Sequence, residues 1–309
     1  RMVQVVDAKE FSGKRLDKAV LKICPSLSRS TVYALLRKGR VKVNGKKKKQ
    51  NYLLKESDHI SLFGNMQQEK APVSQERQKM FSVLYEDDDL LVVSKSPFLA
   101  SQPGTGVEKK NLIALVKLYM KEKGWTKKVA LAHRLDRGTS GCVIVAKHRD
   151  AILRLYDLFK EGKVRKIYLA LVIGKLEKKE GILTGYLQRV KEHFQHKVLI
   201  SDKKGEGVRV QLKYKVQKQY EKYALVEVEL MTGKLHQIRA QCAYLGHPVV
   251  GDRLYGNKEV NKEWREKAGL RRQFLHAWKI SFVHPFSKER MNIEDPLPDD
   301  LKKVLSRLK

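Results

Sequence analysis

Apolar positions in residues 14–63 recur first at helical spacing and then in alternation. Leu16, Ala19, Val20 and Ile23 fall on one helical face, and Pro25 stands where that helix must stop. Ser28 is placed to cap a second helix, whose inward face carries Val32, Leu35 and Leu36 before Gly39 ends it. Val41, Lys42 and Val43 then alternate like a strand, and Asn44-Gly45 is the dipeptide of a tight hairpin turn. A further strand near His59–Phe63 would close a small sheet. Residues 64–79 are polar and carry no apolar period, which predicts a flexible linker.

From Met80 the pattern becomes strands mixed with helices. Strands are expected at Leu90–Ser94, Cys142–Ala146, Ile167–Ile173, Ala224–Leu230 and Lys279–Val283. Helices are expected at Asn111–Lys123, Asp150–Glu161 and Leu235–Leu245. This interleaving predicts an α+β domain on a large mixed sheet. The chain therefore divides into a small unit over 1–63, a linker over 64–79 and a large domain over 80–309.

Charge narrows the partner. The 309 residues carry 65 Lys and Arg against 34 acids, a formal net charge of +31, and a field of that sign favours polyanions. Nucleic acid leads and an anionic membrane comes second. A hydrophobic fraction of 42% excludes wholesale disorder. No apolar run reaches the length of a spanning helix and no leader pattern opens the chain, so a soluble protein is expected. Cys24, Cys142 and Cys242 form no CxxC pair and no HExxH occurs, so neither a metal site nor a disulfide scaffold is expected, and a reducing cytoplasm fits. No GxxxxGK[ST] is present, and Gly104-Thr105-Gly106 falls short of a dinucleotide fingerprint. The first 64 residues hold 16 Lys and Arg and only five acids. Arg29, Arg37, Lys38, Arg40, Lys46 and Lys47 there suit contacts to RNA phosphates that position rather than specify.

Residues 131–147, LAHRLDRGTSGCVIVAK, hold the candidate chemistry. Asp136 lies between Arg134 and Arg137, on a turn bracketed by Gly138 and Gly141 that leads into an apolar strand. A carboxylate fixed there by guanidinium groups serves as a nucleophile or an electrostatic partner. Structural salt bridges are the competing reading of the same residues.

RLDKAVLKICPSLSRSTVYALLRKGRVKVNGKK, residues 15–47, resembles the alpha-L RNA-binding domain of the ribosomal protein S-four type. HRLDRGTSG at 133–141 resembles the signature of the RluA family of pseudouridine synthases. KIYLALVIG at 166–174, TGKLHQIRAQ at 232–241 and GDRLYG at 251–256 are similar to further motifs of that family, in the expected order. VVSKSPFLASQPGTG at 92–106 resembles its early lysine-proline motif. The tail from Gly251 is most similar to the large-subunit ribosomal synthases of branch C. The resemblance implies an α+β fold with a large mixed, mainly antiparallel sheet. It implies an isomerase that turns uridine into pseudouridine in structured RNA, most readily large-subunit ribosomal RNA, with no cofactor and as a monomer. Asp136 would be the catalytic aspartate, Tyr168 the ring that packs on the base and takes its proton, Arg239 the partner of Asp136, and Arg134 the residue that fills the gap left by the extruded base. A catalytically silent RNA-binding assembly factor on the same fold is the alternative, and an RNA hydrolase or nuclease using Asp136 as base a more distant one.

The chain departs from the family pattern at four places. Ser96 follows Lys95 where proline is usual, Leu235 replaces threonine, Gln241 replaces histidine, and Gly138 replaces an acidic residue. Gly138 predicts a looser loop after Asp136. Leu235 removes a hydrogen-bond donor near Arg239, and His236 is expected to be structural.

Overall fold

The computed structural model describes residues 3–24, 29–63, 80–104, 111–192 and 195–308. Contacts divide the chain into two units, Arg1–Gln78 and Lys79–Lys309. The expected linker over 64–79, Pro25 and Ser28 lie outside the described residues, as does the side chain of Arg29.

In the first unit α1 (Leu16–Ile23) and α2 (Arg29–Arg37) accompany a three-stranded antiparallel sheet. Its strands are β1 (Val3–Asp7), β2 (Val41–Val43) and β3 (His59–Phe63), with β3 central. Leu16, Ala19, Val20, Val32, Leu35, Leu36, Val41, Val43, Ile60 and Leu62 share one buried core, as the helical and alternating spacings require. Asn44 and Gly45 both take positive φ, at 49° and 74°, and the Val43 and Lys46 backbones bond each other across them. That is the two-residue turn whose twist matches the strands. Asp58 locks it by accepting from Asn44 Nδ2 at 2.7 Å and Tyr52 Oη at 3.1 Å. β1 was not anticipated from the sequence; it adds to the outer edge of β3 and lies before the segment whose pattern was readable.

The second unit is one eleven-stranded sheet. In chain order its strands are β4 (Phe81–Glu86), β5 (Leu90–Lys95), β6 (Ala130–Leu131), β7 (Ser140–Ala146), β8 (Arg165–Ile173) and β9 (Glu180–Glu192). They continue with β10 (Gln195–Ser201), β11 (Val208–Gln219), β12 (Tyr223–Leu230), β13 (Leu275–Val283) and β14 (Arg290–Glu294). The spatial order is β10-β9-β11-β12-β8-β13-β7-β5-β4, with β6 paired to β7 and β14 to β13. Every pairing is antiparallel except β7 with β13, so the sheet is mixed and mainly antiparallel.

The continuous apolar run of β7 has a direct cause, because the strand is covered on both faces. Val143 and Val145 join Leu91, Val93 and helix α3 (Leu112–Glu122) on one side. Cys142, Ile144 and Ala146 join Leu90, Val92 and helix α4 (Arg149–Lys160) on the other. Asn111 caps α3 by accepting from Ala114 N at 3.1 Å. Three further helices follow, α5 (Gln237–Tyr244), α6 (Lys258–Ala268) and α7 (Asp299–Leu305). α6 and α7 pack Trp264, Ala268, Leu301 and Val304 around Phe274. No described helix is long and apolar enough to cross a membrane.

β7 and β13 meet head to head at Gly141. Its φ is +120°, and a Cβ there would fall inside contact distance of the Ala277 backbone. Through this contact Gly141 pairs with Ala277, and Ala277 pairs on its other edge with Tyr168 of β8. β7, which follows the Asp136 turn, and β8, which carries Tyr168, are thereby pinned in one register with β13. Gly141→Ala is expected to lower unfolding stability by about 3 kcal/mol or more, since both strain and overlap oppose it. Urea denaturation measures this, and a loss below about 1 kcal/mol would contradict the close-approach reading.

Candidate active site

Asp136 sits on a turn closed by the Thr139 amide, which donates to the Asp136 carbonyl at 3.0 Å. Neither flanking arginine holds its carboxylate. Arg134 is exposed and makes no ion pair with a described residue, and Arg137 Nε donates to the Phe98 carbonyl at 3.0 Å. This corrects the local reading of the sequence, for the partner comes from 103 residues away. Arg239 Nη1 donates to Asp136 Oδ2 at 2.9 Å.

Arg239 is itself held from behind. Its Nε and Nη2 donate to the two oxygens of Asp252 at 2.6 and 2.9 Å, a bidentate fork. Asp252 is fully buried, and its Oδ1 also accepts from the amides of Leu254 and Tyr255 at 2.9 and 3.1 Å. The Tyr255 ring covers the guanidinium, 5.2 Å from its centre. Burial opposes both charges, yet the pairing outweighs it. The Asp252 carboxyl is held below the ordinary carboxylate range, and Arg239 keeps its proton more tightly than a free guanidinium. Asp136, at the open end of this chain, is 20% exposed. The site thus presents one reachable carboxylate backed by a buried cation and a buried anion.

Two further residues face the same carboxylate. His236 takes a left-handed backbone, φ 52°, at the start of α5. Its Nε2 lies 3.9 Å from Asp136 Oδ2 and its Nδ1 3.1 Å from Tyr255 Oη. Tyr168 on β8 is 6% exposed, so little of the residue is open to solvent. Burial first, and the Asp136 charge second, push its phenol above the usual tyrosine range. The ring therefore enters the site protonated.

The backbone on both sides of Asp136 is tied down by residues of the 95–101 segment. Ser101 Oγ accepts from the Leu135 amide at 3.0 Å and donates to the Leu135 carbonyl at 2.7 Å. Lys95 is wholly buried, and its ammonium donates to the carbonyls of Leu99, Ser96 and Arg137 at 2.8, 3.0 and 3.4 Å. Burial, with the Arg272 charge adding to it and Asp136 opposing, lowers the Lys95 pKa to about 7.

The departures from the family pattern have local answers. Gly138 does not loosen the turn: Arg272 Nη1 donates to its carbonyl at 3.1 Å, and the Gln273 side chain fills the space that a Cβ would take. Leu235 packs beside the cluster of Leu187, Val198, Val210 and Ala240. Thr232 supplies polar support instead, with Oγ1 2.9 Å from Gln237 Oε1. Gln241 accepts from Gln237 Nε2 at 3.0 Å and donates to the Leu183 carbonyl at 3.2 Å.

In the first unit Arg37, Lys38, Arg40, Lys46 and Lys47 are exposed. The structure brings the end of α2 against the hairpin, because Lys47 crosses the face of Gly39, where a Cβ would collide with its stem. Among the described residues, Asp87, Asp89 and His284 form a cluster of metal-ligating type at the far end of β5. His284 Nδ1 accepts from the amides of Phe286 and Ser287 at 3.2 and 3.0 Å, which leaves the proton on Nε2, facing Asp87 Oδ2 at 3.0 Å. A ring nitrogen that carries its proton has no lone pair to offer a metal.

Comparison with known proteins decides the family. A model described as RNA pseudouridylate synthase matches residues 89–244, and an S4 domain model matches residues 14–60. The chain belongs to the RNA pseudouridylate synthase family. It is 34% identical to "Ribosomal large subunit pseudouridine synthase C" of Escherichia coli O157:H7, covering 96% of this chain and 94% of that protein. The protein of the same name from Salmonella typhimurium is 33% identical, covering 99% and 96%. Among solved structures, "Human RNA Pseudouridylate Synthase Domain Containing 1" aligns with a TM-score of 0.57 at 26% identity, over 71% of this chain and 84% of that one. The synthase is an isomerase that acts on RNA, carried by an S4 domain joined to a synthase fold.

The Lys95 pKa of about 7, against 10.5 for a free lysine, makes stability depend on pH. Between those values the unfolded chain binds more protons than the folded one, so stability rises with pH across that window. Below pH 7 both states are charged and the burial penalty is felt in full. Lys95→Met removes the dependence. The deficit of Lys95→Met relative to the parent is therefore expected to shrink as pH falls from 10 to 7, read by urea denaturation at stepped pH. A deficit that stays constant over that range would overturn the assignment.

Proposed function

We propose that this synthase isomerises uridines in large-subunit ribosomal RNA, with Asp136 as its catalytic carboxylate. The observation that carries the reading is the reachable Asp136 oxygen bonded to a buried Arg239–Asp252 fork. The names of the full-length relatives supply the substrate class. In this reading residues 1–63 are the RNA-binding domain, 64–79 the linker and 80–309 the catalytic domain. Arg29, Arg37, Lys38, Arg40, Lys46 and Lys47 grip phosphates and orient the RNA without reading its bases. A monomer is the proposed acting form. The cytoplasm, where ribosomal RNA is modified in bacteria, is its proposed location.

The reaction breaks the bond between N1 and the sugar, turns the uracil, and rejoins the sugar to C5. The C5 hydrogen leaves as a proton and N1 ends protonated, so no electrons and no water are consumed. The target uridine must first leave its stack, at a cost of a few kcal/mol. Arg134, exposed and without an ion pair among the described residues, is free to occupy the vacated space. Asp136 then meets the extruded nucleotide. Arg239 keeps that carboxylate in one orientation, which removes reorganisation from the reacting step. Tyr168 walls the detached base. Because its phenol is held protonated, the ring takes the C5 proton only as it passes its own proton on.

Tritium release from RNA labelled at uridine C5, with chelator present, tests this reading. The parent enzyme is expected to release tritium from large-subunit ribosomal RNA in preference to small-subunit or transfer RNA. Asp136→Asn is expected to lose at least about 10³-fold in rate while binding RNA as before. Unchanged release by Asp136→Asn would exclude the catalytic role of Asp136. Equal release from all three RNAs would exclude the substrate assignment.

A further inference from the structure

The turn that carries Asp136 is braced from its far side by residues 272–274, ahead of β13. Arg272 is 2% exposed and makes four side-chain hydrogen bonds. Its Nη1 is shared between the carbonyls of Gly138 at 3.1 Å and Leu275 at 3.3 Å, joining the turn to the start of β13. Its Nε and Nη2 form a fork on Asp300, at 2.7 and 3.0 Å. Asp300 lies in the first turn of α7, and its Oδ1 accepts from the Leu301 amide at 3.0 Å. A carboxylate at a helix start is favoured by the unpaired amides there, so the fork has a fixed anchor. Gln273 adds a bond from Nε2 to Thr139 Oγ1 at 3.2 Å.

The same segment reaches the other carboxylate of the site. The Phe274 amide donates to the Val250 carbonyl at 2.7 Å. Gly251, at φ +80°, lies so close to the Arg272 carbonyl that a Cβ would not fit. Asp252 is the next residue. Residues 272–274 therefore touch both the turn that presents Asp136 and the segment that presents Asp252, and Arg239 spans the two carboxylates.

We infer that Arg272, anchored by Asp300 of α7, is a positioning residue that holds the Gly138 peptide and so sets the orientation of Asp136. This rests on the proposed role of Asp136. A lysine at 272 keeps the charge but cannot bond Gly138 and fork onto Asp300 together. Removing the Asp300 charge leaves Arg272 in place with a weaker anchor. Asp300 has a side chain 41% exposed, which makes its substitution compatible with folding.

The test is single-turnover tritium release, RNA affinity and melting temperature for Arg272→Lys, Asp300→Asn, Asp299→Asn and Asp136→Asn. Asp299 is the neighbouring exposed acid and serves as control. Arg272→Lys is expected to slow the bound-state rate about 10- to 100-fold and Asp300→Asn about 3- to 10-fold, each with RNA affinity within twofold of the parent. Asp299→Asn is expected to match the parent. Lower melting temperatures with unchanged bound-state rates would overturn the inference and leave a merely structural role. So would a loss confined to affinity. If Arg272→Lys fails to fold, Asp300→Asn alone decides. Full activity of Asp136→Asn would instead remove the reading beneath the inference, so the two failures are distinct.

Discussion

The buried line of charge from Asp252 through Arg239 to Asp136 is the constraint on which the rest of the site depends. A buried pair gives little net stability, because taking both charges out of water offsets their attraction. Removing one member is another matter, at about 3–5 kcal/mol, because the remaining charge is stranded. The line therefore fixes geometry more than it raises stability. Asp252 is sealed and bonded to two amides, so Arg239 has one place to rest. Its remaining Nη1 has one direction to point, toward the carboxylate that stays open to solvent. A side chain near the surface is thus oriented by an anchor that water does not reach.

The sheet makes this line possible. Asp136 lies 103 residues from Arg239, and Asp136, Arg239 and Asp252 sit on a turn before β7, on α5 and on a segment after α5. The close approach of β7 and β13 at Gly141 sets the turn against Ala277, and β8 brings Tyr168 in on the other edge. A side chain at 141 would push these strands apart and open the site with them. Ser101 holds the backbone before Asp136, while Lys95, Arg272 and Gln273 hold it after. Stability and catalysis therefore draw on the same few contacts, although the residues involved share no sequence neighbourhood.

What was legible in the sequence follows from the range of the forces involved. α1, α2, β2 and the Asn44-Gly45 turn are local, set by apolar spacing and by two residues that tolerate positive φ. β7 was legible because burial on both faces leaves no polar position. The strict alternation of Val208, Val210, Leu212, Tyr214 and Val216 also marks a strand, β11, yet it is missing from the expectations. Its outward positions are mostly cationic, and in so basic a chain such a segment passes for a solvated loop. The partner of Asp136 could not be read from charge spacing, since the adjacent Arg134 and Arg137 look like better candidates than Arg239. Only the family resemblance pointed there. Asp252 lay inside a motif that was quoted without a role, and nothing local distinguishes it from a turn residue. Arg272 carried no signal, because its use depends on contacts with residues 138 and 300. The expected looseness at Gly138 failed for the same reason, as missing side-chain bulk was supplied by Gln273 from the segment before β13.

The central claim is that Asp252 acts on the reaction only through Arg239. A double-mutant cycle tests it, using single-turnover tritium release by Asp252→Asn, by Arg239→Lys and by both together. Arg239→Lys keeps a charge but loses the fork that joins the two carboxylates. The account predicts that Asp252→Asn slows release about tenfold or more in the parent and has almost no further effect beside Arg239→Lys. Equal losses in the two backgrounds would contradict it, because Asp252 would then reach the reaction by another route.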